Sequence, residues 1–142
     1  MSKTPLGGQT VVRVYIAAPY ELRPVAMAAR RAFVLAGVEV IARWLDAQAQ
    51  DSDLEARKDL EDITAADTLV ALNPSEWARL GTGGRHVELG FALALQKRIV
   101  LVGARTNVFH QHSDIHCVAD IHGALAVVRQ PAVAAPLEEQ TA

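Results

Sequence analysis

Short β-branched, apolar runs alternate with stretches of helical periodicity along nearly the whole chain, and this alternation limits the available folds more than any other feature. Residues 11–17 (VVRVYIA), 38–42 (VEVIA), 68–72 (TLVAL) and 98–102 (RIVLV) read as strands, with a shorter fifth over 116–118. Between and after them, 22–36, 54–66, 85–96 and 121–129 read as helices. In the first helix, Val25, Ala29, Ala32 and Leu35 or Ala36 are expected on the buried side, with Pro24 tolerated in its first turn and Gly37 as its stop. Asp51, Ser52 and Asp53 offer N-caps to the second.

Strands this uniformly apolar suit a parallel sheet covered on both faces. With right-handed crossovers the expected class is α/β: a doubly wound, Rossmann-like (flavodoxin-like) parallel sheet of four or five strands with helices on both faces. Ligands bind such sheets beyond the carboxyl ends of the strands. The loops over 17–23, 73–88 and 103–114 are therefore the candidate site. One domain is expected over 11–130, with a flexible lead at 1–10 and a disordered tail at 131–142.

Composition closes off several function classes. No apolar run reaches the roughly 18 residues of a membrane helix, and the N-terminus lacks the apolar stretch of a signal peptide. The single cysteine, Cys117, excludes an internal disulfide framework. A cytoplasmic location is the expectation, with no membrane partner. The net charge of −2 and the lack of a Lys/Arg stripe argue against long nucleic acid, although a few local donors suffice for one nucleotide.

The stretch GTGGRHVELGFALALQ, residues 81–96, places a carboxylate, Glu88, near the start of an otherwise apolar helix just after a glycine-rich turn. Counting along the helix puts Glu88 in its first turn, with Phe91, Ala92 and Leu95 on the same face. Two readings are open. The carboxylate can simply interact with the macrodipole, worth about 0.3–1 kcal/mol. Alternatively, the helix N–H groups keep it ionised in a partly dry cleft, as a nucleophile in a retaining glycosidic mechanism requires. GTGGRH is not a dinucleotide fingerprint, because His86 stands where the last glycine belongs.

Three segments in order, VYIAAPY, KDLEDITAAD and GTGGRHVELGFALALQKRIVLVG, resemble the nucleoside 2-deoxyribosyltransferase family, which includes 2'-deoxynucleoside 5'-monophosphate N-hydrolases. The resemblance covers roughly 11–103. It implies that Glu88 attacks C1' of the sugar, that Asp59, eight residues before Asp67, binds and protonates the leaving base, and that the Tyr15 hydroxyl orients Glu88. The bland alternatives are a capping or solvated Asp59 among its acidic neighbours Glu61 and Asp62, and a core Tyr15. Deoxyribosyltransferases typically carry an aspartate six residues before the nucleophile; here Thr82 stands there, as a small hydroxyl residue does in the nucleotide hydrolases. A hydroxyl, glycine N–H groups and Arg85 would accept a phosphate that a carboxylate would repel, which tilts the expectation toward a 5'-monophosphate. Thr82, Gly84, Arg85, Ala17 and Arg23 are the expected substrate-binding residues, with His86 a weaker candidate.

The histidine-rich loop NVFHQHSDIHC, with His110, His112, His116 and Cys117, fits no common zinc spacing, and neither metal nor cofactor is expected. Trp77 could stack on a base or simply cover the glycine turn. The expected activity is cleavage of the N-glycosidic bond of a nucleoside or its 5'-monophosphate, with the sugar passed to water or to another base. The alternatives are a nucleotide-binding sensor without turnover and a purely structural α/β protein. The all-round apolar helix, together with the resemblance, implies a homodimer or larger homo-oligomer.

Overall fold

A computed structural model describes residues 11–48, 52–77 and 79–131. The expected lead and nearly all of the expected tail lie outside these residues. Five strands, β1 (Arg13–Ala17), β2 (Glu39–Val40), β3 (Thr68–Asn73), β4 (Arg98–Gly103) and β5 (Ile115–Val118), form one sheet in the order β2-β1-β3-β4-β5. Every neighbouring pair is parallel. This is the flavodoxin-like doubly wound order. Four helices complete the fold: α1 (Arg23–Leu35), α2 (Asp53–Ala65), α3 (Gly84–Ala94) and α4 (Ile121–Val128). Right-handed crossovers put α1 on one face and α2 and α3, which pack on each other, on the opposite face, while α4 packs on β4 and β5. No described helix is long and apolar enough to cross a membrane.

The core is sheet-centred. All six residues of β3 are buried, as a central strand flanked by helices requires. α1 turns inward only part of the face its sequence suggests: Ala29 is buried as expected, and Ala32 and Ala36 are partly buried. Ala26, Ala29 and Phe33 are buried, whereas Val25 is 38% and Leu35 79% exposed. The two alanines let the helix lie close to the sheet and Phe33 fills the remaining space. Ser52 caps α2, accepting the Glu55 N–H at 3.2 Å.

Two departures shape the ligand end of the sheet. The β4–β5 connection carries only a 3-10 turn, Val108–Gln111, in place of a full crossover helix. At the end of β4, Gly103 has φ +116°, and a Cβ there would lie 2.3 Å from the Asn73 carbonyl oxygen. Only glycine lets the ends of β3 and β4 lie this close. Asn73 then ties the loops together, its Nδ2 donating to the Ala104 carbonyl at 2.7 Å and to Thr106 Oγ1 at 2.9 Å.

Candidate active site

Strand order reverses between β1 and β3, and a cleft of about 250 Å³ opens beyond their carboxyl ends. Its walls come from four segments distant in sequence. Ala18 to Glu21 follow β1, Trp44 lies in the 3-10 turn after β2, Asp59 is on α2, and Gly81 to Arg85 with Glu88 lead into α3.

Glu88 is the fifth residue of α3, not part of its first turn, because the helix already begins at Gly84 with Gly83 as its N-cap. Its neighbours therefore matter more than the helix terminus. Tyr15, fully buried in β1, donates its hydroxyl proton to Glu88 Oε2 at 2.5 Å. Burial pushes the Glu88 carboxyl up to about 8; the Tyr15 hydrogen bond opposes this and the Asp59 carboxyl adds to it. Burial, followed by the Glu88 and Asp59 charges, holds the Tyr15 phenol protonated well above its usual value. The helix N–H groups alone therefore do not set the charge of Glu88: burial favours its protonated form.

Asp59, Glu61 and Asp62, close together on α2, separate by their partners. Asp62 is buried and accepts from the Arg43 backbone N–H at 2.8 Å and from Arg43 Nε at 2.9 Å. Glu61 accepts from Arg43 Nη2 at 2.9 Å. Asp59 instead turns toward the cleft, and its buried Oδ1 accepts from no protein donor among the described residues. Burial, followed by the charges of Asp62 and Glu55, pushes Asp59 up to about 6. Asp59 and Glu88 lie close enough to influence each other's protonation directly. Burial thus raises both carboxyls, and the two titrate as a coupled pair able to share a proton.

The glycine turn forms the opposite wall. Gly81 has φ +82°, and a Cβ there would meet Pro19 Cβ and Arg85 Nη1, each at 3.2 Å, so glycine lets the turn rest on both. Thr82 and Gly84 line the cleft. Arg85 also lines it, but the side chain is buried and committed. Nε and Nη2 donate to Asn73 Oδ1 at 3.3 and 3.2 Å, and Nη1 donates to the Leu80 carbonyl at 2.7 Å. The expected phosphate ligand thus anchors the turn from beneath. The other two expected binding residues do not reach the cleft wall. Ala17 is fully buried in the core, and Ala18 takes its place in the wall. Arg23 donates Nε to the Leu45 carbonyl at 2.7 Å.

Behind α3, Asn107 Nδ2 bridges His86 Nδ1 at 3.4 Å and His110 Nε2 at 3.3 Å. His110 is buried, and its Nδ1 accepts the Thr106 N–H at 2.9 Å. Burial lowers the pKa of both rings, so they pack here as neutral groups. Among the described residues no three His, Cys, Asp or Glu side chains gather in a way that could hold a metal ion. The Trp77 side chain lies outside the described residues. Trp44 lines the cleft, with Nε1 donating to the Ile16 carbonyl at 2.8 Å. Sequence reasoning passed over Trp44, Tyr20 and Glu21. The signal available for the last two was their position directly after β1, at the expected ligand end.

No family model matches the chain, and no curated protein does. Solved structures do. The CMP N-glycosidase BcmB from Clostridium botulinum superposes with a TM-score of 0.56 at 21% identity, covering 82% of this chain and 97% of that one. A 2-desoxiribosyltransferase from Leishmania mexicana gives 0.54 at 22% identity, covering 70% and 69%. The TIR domain of a Toll-related receptor from Hydra magnipapillata gives 0.58 at 13% identity, covering 82% and 98%. The chain shares its fold with all three. Since they include both enzymes and a receptor domain, function has to be argued from the site.

Proposed function

We propose that this protein cleaves the N-glycosidic bond of a nucleoside or its 5'-monophosphate, with Glu88 as nucleophile. The observation that carries the reading is the coupled carboxyl pair Glu88 and Asp59 facing one cleft, with the Tyr15 hydroxyl 2.5 Å from Glu88 Oε2. Two carboxyl groups sharing one proton are what double displacement at an anomeric carbon needs. The proton passes from Glu88 to Asp59, leaving Glu88 ionised. A Glu88 oxygen then bonds to C1' as the C1'–N bond breaks, and Asp59 delivers its proton to the departing base. In the second half Asp59 takes a proton from water, whose oxygen bonds to C1' and releases Glu88. A second base in place of water would give transfer instead of hydrolysis. Tyr15 holds the nucleophilic oxygen in position through both steps. Tyr20 and Trp44 offer aromatic surface to the base, and the Gly81–Gly84 turn faces the 5' end of the sugar.

Two enzymes of this fold act on such bonds by name, a CMP N-glycosidase and a deoxyribosyltransferase, which supports the reading at the level of reaction class. The test is release of free base from paired nucleosides and monophosphates, followed by chromatography. Wild-type protein should release base and Glu88→Gln should not; equal turnover by the two would end the nucleophile assignment. Ligand-induced thermal stabilisation without base release would favour the sensor. We further propose that a second copy covers the outer face of α3, where Val87 is 69% exposed; light scattering should then give a mass above 15.3 kDa.

A further inference from the structure

We propose that Glu21 makes this cleft a site for nucleosides with a free 5'-hydroxyl and selects against their 5'-monophosphates. This rests on reading the cleft as a nucleoside site, and it reverses the tilt toward a phosphate that Thr82 and Arg85 suggest in the sequence.

The side chain is placed by its surroundings. Glu21 lies in the 3-10 turn Tyr20–Leu22, between buried Pro19 and buried Leu22, with the Leu22 N–H donating to the Pro19 carbonyl at 2.8 Å. From there its Oε2 crosses the cleft mouth and accepts the Gly81 N–H at 3.2 Å. The first amide of the glycine turn is thereby occupied by a carboxylate of the protein itself.

The charge inventory of the walls points the same way. Among the described residues, three carboxyl groups, Glu21, Asp59 and Glu88, line the cleft, against one guanidinium, that of Arg85. That guanidinium is bonded to Asn73 and Leu80, and the Glu21 charge acts on it as well. A nucleoside monophosphate carries between one and two negative charges at neutral pH and offers acceptor oxygens almost exclusively. Beside Glu21 it would meet a second acceptor of like charge. A 5'-hydroxyl offers one donor, which a carboxylate accepts well, and a lone pair that the Thr82 hydroxyl could serve.

The experiment measures binding and turnover separately. Common deoxynucleosides and ribonucleosides, each paired with its 5'-monophosphate, are titrated calorimetrically into the full chain carrying Glu88→Gln, which should not consume them. The same titrations follow with Glu21→Gln added, an isosteric change at an exposed position. We expect the best nucleoside to bind at least about tenfold more tightly than its monophosphate. We expect Glu21→Gln to shift that ratio by about tenfold toward the monophosphate. A monophosphate bound as tightly as its nucleoside, a ratio unmoved by Glu21→Gln, or no binding of either ligand would overturn the role of Glu21. Base release by the wild-type chain tests the glycosidic reading independently. Selective binding without release removes that reading and leaves Glu21 as selector. Release with the monophosphate preferred does the opposite.

Discussion

The Tyr15 hydroxyl and the Glu88 carboxylate meet at 2.5 Å, joining the buried first strand to the helix that leaves the glycine turn. This contact fixes the carboxylate oxygen on a rigid element and lowers the cost of ionising it. Tyr15→Phe keeps the packing of the ring and removes only the hydroxyl. Turnover should fall by about 10–100-fold with little change in KM, because the loss falls on the reacting carboxylate. Steady-state kinetics of base release checks this; an unchanged kcat would leave Tyr15 as a core residue alone.

The pH dependence of turnover follows from the pair. The active form carries one proton, so activity should be bell-shaped, falling below about 6 as Asp59 gains a second proton and above about 8 as Glu88 loses the last. The Tyr15 hydrogen bond pulls Glu88 down, so in Tyr15→Phe the alkaline limb should move upward. A limb that moves downward contradicts the role given to that hydroxyl.

Stability should respond in the opposite sense to that of a salt-bridged carboxylate. An unfolded Glu88 releases its proton near 4.5, whereas the folded chain holds it to about 8, so between these values the native state binds more protons and stability from this group falls as pH rises. Glu88→Gln removes the titration. Thermal denaturation at pH 5 and pH 8 should show the variant gaining on the wild type at the higher pH, the usual trade between a destabilised functional group and stability. A difference independent of pH would mean that Glu88 titrates as an ordinary exposed acid.

Much of the sheet was legible in the sequence, and the site only in part. Apolar runs located the first four strands and helical periodicity the helices, because both signals are local; the short fifth strand, with His116 and Cys117 exposed, carries no such run. The buried face of α1 was legible only in part, since Ala26 and Phe33 are chosen over Val25 and Leu35 by how closely the helix approaches the sheet. Tyr15, Asp59, Thr82, Gly84 and Glu88 were singled out through the resemblance to the deoxyribosyltransferase family. That Asp62 is held by Arg43 while Asp59 is not depends on a contact between segments 19 residues apart, which no spacing reveals. The same holds for Arg85, whose charge suggests a ligand but whose partners Asn73 and Leu80 make it an anchor.

That anchor has a measurable consequence. Arg85→Ala removes the donors to Asn73 Oδ1 and to the Leu80 carbonyl from a buried position. It should cost about 2 kcal/mol or more in chemical denaturation. A change within about 0.5 kcal/mol, as at an ordinary surface position, would rule out the anchoring role.

Gly103→Ala tests the geometry that brings the loops together. The added Cβ would collide with the Asn73 carbonyl at 2.3 Å in a backbone conformation that side chains rarely adopt. About 3 kcal/mol of destabilisation is expected, and base release should fall with it as the Asn73 bonds to Ala104 and Thr106 loosen. Full stability in this variant would contradict the close approach of the ends of β3 and β4.

The central claim is a covalent bond between Glu88 and an anomeric carbon. Rapid quenching during turnover, followed by peptide mass spectrometry, reads it directly. The account predicts a glycosyl adduct confined to the peptide containing Glu88 and absent from Glu88→Gln. Steady release of base with that peptide unmodified and the adduct on another residue, or with Glu88→Gln turning over at the wild-type rate, would contradict it.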